Sequence, residues 1–234
     1  MNTTVGDLSG NCARLRDAYR RAVAAGADLM LAPELTITGY PPRDLLAKRR
    51  FVQDNLRALD ELAVDVGATG LLVGYVDINQ HRPGRDCLNA AALIQHGKII
   101  ARRYKTLLPT YDVFDEDRYF EPADTNTVIE FAGTKIAVTI CEDVWNAQDD
   151  CSARLYRRDP VEELVTTGKP SLILNISASP FHFGKAALRR DRLRAVAAKY
   201  RVPLAYCNLV GGNDELVFDG QSLVFDAAGN LLAQ

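Results

Sequence analysis

The chain has 234 residues, 47% hydrophobic and 25% charged, the balance of an ordinary soluble globular protein with enough sequence for one large domain over 1–234. Its net charge of −2 gives no general attraction to nucleic acid or to an anionic membrane surface, so neither is expected as a partner. No apolar run approaches the ~18 to 20 residues that span a bilayer, and no secretory signal opens the chain; the five cysteines (12, 87, 141, 151 and 207) lack paired spacing and read as reduced thiols of a cytoplasmic protein.

The first helix is predicted over Asn11–Ala25, with Leu15, Ala18, Tyr19 and Ala22 on one face and Gly26 as its stop. A buried strand over Asp28–Ala32 leads to Pro33-Glu34, and Pro41-Pro42 marks a loop. Val52, Leu56, Leu59, Ala63 and Val66 recur at helical spacing within Leu46–Val66. Strands follow at Leu71–Ile78, Leu88–Gln95 and Ile99–Tyr104, the last two joined as a hairpin at His96-Gly97. Thr106–Thr125 is irregular and dense in acids and aromatics, a length at which compact domains use loops functionally. Strands are expected at Val128–Phe131 and Lys135–Ile140. Asp159-Pro160-Val161-Glu162 then reads as a capped helix start, with Gly168 as the stop. Ser171–Ile176 is a strand, Lys185–Tyr200 a helix with Leu193, Val196, Ala197 and Tyr200 inward, and Val202–Val210 a strand. Leu216–Leu232 closes the chain as a hairpin turning at Ala228-Gly229-Asn230. Helices alternating with strands, plus hairpins, predict a layered α/β sandwich with a mixed sheet.

Thr139-Ile140-Cys141-Glu142-Asp143-Val144-Trp145 places a thiol where the β-branched run ends and charge begins, a common address for active sites in α/β proteins. Cys141 is either a nucleophile needing only a lowered pKa or a small buried core thiol. The acids that follow argue against the core reading, and a strand-to-helix turn there would present backbone N–H groups to an oxyanion. Glu34, at another strand end, is a general base for the thiol or a surface acid at a loop entrance. Lys105, at a third, is a fixed positive charge that lowers the Cys141 pKa and supports an oxyanion, or a solvated edge lysine. Taken singly, Glu34 and Lys105 favour the bland readings; together the three support catalysis.

Competing patterns are weak. His81, His96 and His182 have neither metal-ligand spacing nor partner cysteines, and a Cys–His pair could use only His182. No G-x-S-x-G, G-x-G-x-x-G or phosphate-binding loop occurs, and Gly211-Gly212 reads as a turn. The arginines of Arg189-Arg190-Asp191-Arg192-Leu193-Arg194 read as a solvated helix face, with an anion or subunit contact as the alternative.

Ala32-Pro33-Glu34-Leu35, Tyr104-Lys105 with Leu108-Pro109, and Ile140 to Trp145 resemble the Glu-Lys-Cys signatures of the nitrilase (carbon–nitrogen hydrolase) superfamily. Glu34 to Leu46, Leu108 to Phe120 and Asn175 to Lys185 are similar, in turn, to the glutaminase domains of glutamine-dependent NAD synthetases. The resemblance covers essentially the whole chain. It implies a four-layer α-β-β-α sandwich in which Cys141 attacks the side-chain amide of L-glutamine, giving a thioester and ammonia. Glu34 is then the base and acid, with Lys105 and the Glu142 backbone N–H at the oxyanion. Tyr111, Ser179 and Lys185 match positions that hold the glutamine, and Glu116 is the candidate for a further supporting acid. The resemblance implies no metal or cofactor in this domain: ATP, Mg²⁺ and deamido-NAD would belong to a synthetase domain whose Ser-Gly-Gly-x-Asp-Ser loop is absent here. It also implies a homo-oligomer, and a fold incomplete at both termini, lacking a first strand and the end of the domain. The alternatives are a stand-alone amidase for another small amide and a truncated chain without turnover.

Overall fold

In the computed structural model, which describes residues 1–81, 83–146 and 156–234, the first helix, α1 (Leu8–Ala24), starts earlier than predicted. The Asp7 carboxylate accepts the Gly10 N–H at 2.9 Å and supplies the cap that the hydrophobic pattern alone does not reveal. Strand β1 (Leu29–Leu31) is short and half-buried, where a buried strand from Asp28 was expected. Helix α2 (Arg49–Val64) follows a 3₁₀ turn over Arg43–Ala47, which takes up the Leu46 end of the predicted helix. Strands β2 (Gly70–Ile78), β3 (Cys87–Gln95) and β4 (Lys98–Tyr104) complete a four-stranded sheet in the order β1-β2-β3-β4. His96 and Gly97 both have positive φ (51° and 73°), the backbone a two-residue hairpin requires, so the predicted β3–β4 turn is correct.

The second half builds a larger sheet. Strands β5 (Ile129–Phe131) and β6 (Thr134–Ile140) form a hairpin, and helix α3 (Pro160–Gly168) crosses over to β7 (Leu172–Ser177). Asp159 caps α3 through the Glu162 N–H (3.0 Å), as predicted; the left-handed residue that ends it is Lys169, not Gly168. Helix α4 (Lys185–Tyr200) leads to β8 (Leu204–Asn208), and β6, β7 and β8 run parallel. The predicted single hairpin over Leu216–Leu232 is instead divided. Strands β9 (Val210–Asn213) and β10 (Leu216–Asp219) pair with each other, while β11 (Leu223–Phe225) and β12 (Leu231–Ala233) join the large sheet, in the order β12-β11-β8-β7-β6-β5. Gly211-Gly212 therefore lie in a strand. Asn2 packs where a Gly211 Cβ would stand, and the turn falls at Asp214-Glu215.

Alternation of side chains along the strands builds the layers. In β2 and β3, Leu71, Val73, Tyr75, Ala90, Ala92 and Ile94 pack under α1 and α2. Leu72, Ala91 and Leu93 point the other way, against Ile136, Val138, Ile140, Leu174 and Ile176 of the second sheet. Ala137, Ile173, Leu204 and Phe225 face α3 and α4. The result is the expected four-layer α-β-β-α sandwich. No helix among the described residues is long and apolar enough to cross a membrane. Glu34, Lys105 and Cys141 follow the carboxyl ends of β1, β4 and β6, so both sheets contribute to one site.

Candidate active site

Strands β1 and β4 are the opposite edges of their sheet, so Glu34 and Lys105 meet only because the chain after β1 runs inward over β2. The Ala32 N–H donates to the Leu72 carbonyl at 2.8 Å and the Ile37 N–H to the Gly74 carbonyl at 3.2 Å. Gly74 permits this crossing: a Cβ there would lie 2.6 Å from the Pro33 carbonyl oxygen. Lys105, fully buried, donates to Glu34 Oε1 (2.8 Å) and to both oxygens of Glu116 (2.8 and 2.7 Å). Asn89 of β3 donates to Glu34 Oε1 at 2.7 Å, the Ala178 N–H to Glu34 Oε2 at 2.8 Å, and the Tyr40 hydroxyl to Glu116 Oε1 at 2.8 Å.

Cys141 opens a 3₁₀ turn over Cys141–Val144 with φ at 47°, a left-handed conformation that costs a non-glycine residue about 1–3 kcal/mol. Two neighbours hold it there. The Asn175 amide donates to the Cys141 carbonyl at 3.4 Å and to Thr139 Oγ1 at 2.9 Å. The Asp143 carboxylate accepts the Ile140 N–H at 3.0 Å and, from the Lys105 side, the Thr106 and Leu107 N–H groups at 3.0 and 2.8 Å. Asp143 thus ties the turn carrying the thiol to the segment carrying the lysine. The first N–H groups of a helical turn lack intrahelical partners, so the Glu142 N–H, second in this turn, is a candidate donor to an incoming oxygen.

Electrostatics correct one expectation. Lys105 does lower the Cys141 pKa, but burial and then the Glu34 carboxylate raise it by more, so the thiol sits well above its ordinary value and stays protonated at rest. Deprotonation therefore needs a base beside it. Burial works to lower the Lys105 ammonium, but Glu116 and Glu34 outweigh that and hold it charged.

Burial raises Glu116 from an ordinary 4.5 to about 7, against the opposing Lys105 charge, and raises Asp143 from 3.8 to about 7 against its backbone N–H donors. Between those limits the folded chain keeps protons that the unfolded chain has released, so stability falls as pH rises through the interval. Urea unfolding at about pH 5 and about pH 7 should differ less for Glu116→Gln than for the parent chain. An equal difference in the two proteins would disprove the assignment.

Above this cluster lies a cavity of about 260 Å³ with Cys141 in its wall. Tyr111, Glu142, Ser179 and Lys185 line it, so all the predicted substrate-binding positions converge there, while Glu34, Lys105 and Glu116 sit beneath the wall. Two acids, Asp112 and Glu142, are among its lining residues, and Glu142 Oε1 accepts the Tyr111 hydroxyl at 2.9 Å. Burial raises the Glu142 carboxyl, opposed by the Tyr111 hydrogen bond and by Lys105. Two cations line it as well, with the Lys185 ammonium 5.9 Å and the Arg192 guanidinium 5.3 Å from the Trp145 ring centre.

His182 is at the cavity wall but exposed, with Nδ1 3.0 Å from the Phe183 carbonyl, and is not part of the buried cluster. Arg189 corrects the solvated-face reading of the arginine run: it is fully buried. Cys12, Cys87, Cys141 and Cys207 are free thiols, and Cys151 lies outside the described residues. Asn89, Tyr40 and Asn175 were not anticipated as parts of the site. Asn89 left a signal, as an amide inside the otherwise apolar run Leu88–Ile94, since a buried polar group needs a partner.

The carbon–nitrogen hydrolase family profile matches residues 1–234. The glutamine-dependent NAD(+) synthetase of Thermotoga maritima is 42% identical over 234 residues, covering 99% of this chain and 38% of that protein. The solved structure of the glutamine-dependent NAD+ synthetase from Acinetobacter baumannii superposes with a TM-score of 0.88 at 30% identity, covering 100% of this chain and 41% of that one. An amidase of the nitrilase superfamily from Nesterenkonia AN1 superposes with a TM-score of 0.81 at 26% identity, over 99% of this chain and 82% of its own. The chain thus spans about two fifths of the synthetases it matches.

Proposed function

This chain belongs to the carbon–nitrogen hydrolase family, and from that premise we propose that it is a glutaminase, the ammonia-releasing module of a glutamine-hydrolysing NAD synthetase. The observation that carries the reading is that both signs of charge line the cavity beside Cys141, the acids Asp112 and Glu142 together with the cations Lys185 and Arg192. A free α-amino acid needs both signs, whereas a short aliphatic amide needs neither. The identity of about 42% to a synthetase across nearly the whole chain supports the same choice.

In this mechanism Glu34 takes the Cys141 thiol proton as sulfur attacks the side-chain amide carbonyl carbon (Cδ) of glutamine. The developing oxyanion meets the Lys105 charge and the Glu142 N–H. Glu34 passes the proton to the leaving nitrogen, the C–N bond breaks, and ammonia departs from a γ-glutamyl thioester. Glu34 then deprotonates water; the hydroxide attacks the thioester, glutamate leaves, and the proton returns to sulfur. Glu116 keeps Lys105 charged. The substrate amino group faces Glu142 and Tyr111, and its carboxylate faces Lys185, with Ser179 beside it. No metal or cofactor takes part; ATP, Mg²⁺ and deamido-NAD belong to a synthetase partner domain, in a homo-oligomeric assembly that consumes the ammonia.

The test is a substrate profile by ammonia release. kcat/KM for L-glutamine should exceed that for propionamide or butyramide by at least about a hundredfold, the equivalent of one or two satisfied charge pairs. A preference for the short aliphatic amides would replace this reading with that of a stand-alone amidase.

A further inference from the structure

Ser179 and Lys185 face the cavity, where the Lys185 ammonium lies against the Trp145 ring, but the groups that fix the Ser179 peptide lie one layer behind. Arg189, one helical turn after Lys185 on α4, is the largest fully buried side chain among the described residues. Its guanidinium makes a two-bond fork to Asp219 at the end of β10, Nη1 to Oδ2 at 3.1 Å and Nη2 to Oδ1 at 3.0 Å. Nη2 also reaches the Ser179 carbonyl at 3.5 Å. Asn208, at the end of β8, grips the same peptide from another side: its Oδ1 accepts the Ser179 N–H at 2.8 Å, and its Nδ2 donates to the Ser179 carbonyl at 3.3 Å. Neither Arg189, Asp219 nor Asn208 lines the cavity.

An arginine this deeply buried is costly without a well-aligned carboxylate, and apolar packing would serve a simple core better. The fork is a geometry that lysine cannot reproduce. It joins α4, the end of β10 and the loop after β7 at the one place where two predicted substrate contacts emerge. We propose that the Arg189–Asp219 pair, with Asn208, is a positioning device for substrate recognition, setting Ser179 and the first turn of α4 at the spacing that the charged end of an amino-acid amide requires. The inference rests on the glutaminase reading above. The pair touches none of Glu34, Lys105, Glu116 or Cys141, which are held instead by Asn89, Tyr40, Asn175 and the Ala178 N–H.

A device of this kind acts on binding and leaves the chemical step alone. Arg189→Lys keeps the charge and loses the fork; Asp219→Asn keeps the shape and loses the charge. In each, KM for glutamine should rise at least about tenfold with kcat within about threefold of the parent, the signature of lost uniform binding. kcat/KM for propionamide and the rate of Cys141 alkylation by iodoacetamide should stay within about threefold, because neither probe has a charged end to place. An unchanged KM for glutamine would overturn the proposal, as would a loss shared equally by glutamine and propionamide. So would failure of both variants to fold, which would make the pair a purely structural cement. A parent chain that does not hydrolyse glutamine would instead sink the glutaminase reading, and this inference with it.

Discussion

Cys141→Ala should lower amide hydrolysis by at least about 10⁴-fold, the scale on which removing a covalent nucleophile acts, while the fold persists. The side chain is 3% exposed, and alanine inherits the same left-handed backbone without adding bulk. It also removes a thiol that burial and Glu34 make hard to ionise. The complementary experiment labels the chain with diazo-oxo-norleucine, a glutamine-like electrophile, followed by mass spectrometry. A single adduct on Cys141 is expected. Cys12 and Cys87 are buried, with thiols pushed up by desolvation, and Cys207 is pushed up to about 11 by the same cause. None of those three lines the cavity, and no adduct is expected on Cys151 either. An adduct on another cysteine, or near-normal turnover by Cys141→Ala, would refute the assignment of the nucleophile.

Lys105→Met should destabilise the fold as well as silence it. The ammonium is fully buried and is the only cation hydrogen-bonded to Glu34 or Glu116 among the described residues. Removing one partner of such a cluster leaves uncompensated buried charge, at a cost of about 3–5 kcal/mol. Methionine keeps the aliphatic volume, so the loss is electrostatic and not a cavity effect. Because Glu116 already holds its proton to about pH 7, the deficit should shrink in acid, where that carboxyl is neutral. Adding Glu116→Gln to Lys105→Met should recover part of the loss, a coupling that a double-mutant cycle in urea measures. Equal stability of Lys105→Met and the parent at neutral pH would show that the three charges are not coupled as their geometry demands.

The three candidate catalytic groups were legible in the sequence because each follows a strand whose apolar, β-branched or alternating pattern is local. The predicted strands around Lys105 and Cys141 fall close to their observed bounds: β6 is buried on both faces from Ile136 to Ile140, β4 alternates exposed and half-buried residues, and each pattern lies within its own segment. The Asp159-Pro160 helix start was equally readable, because a cap and a first-turn proline act within four residues. The fate of Leu216–Leu232 was not readable: its strands pair with different neighbours, and nothing local says which. Arg189 misled for a related reason, since a charged residue on a charged helix looks solvated until Asp219 arrives from a distant strand.

The sequence by itself determined the alternation that buries two sheets face to face and the Glu34, Lys105 and Cys141 positions at strand ends, because both depend on spacing along one segment. Only the tertiary structure decided that Glu34 and Lys105 meet from opposite sheet edges, through the room that Gly74 leaves above β2. It also decided that the Cys141 thiol rests protonated, because a pKa is set by the sum of desolvation and every charge packed around the group, and that sum exists only after the chain has folded.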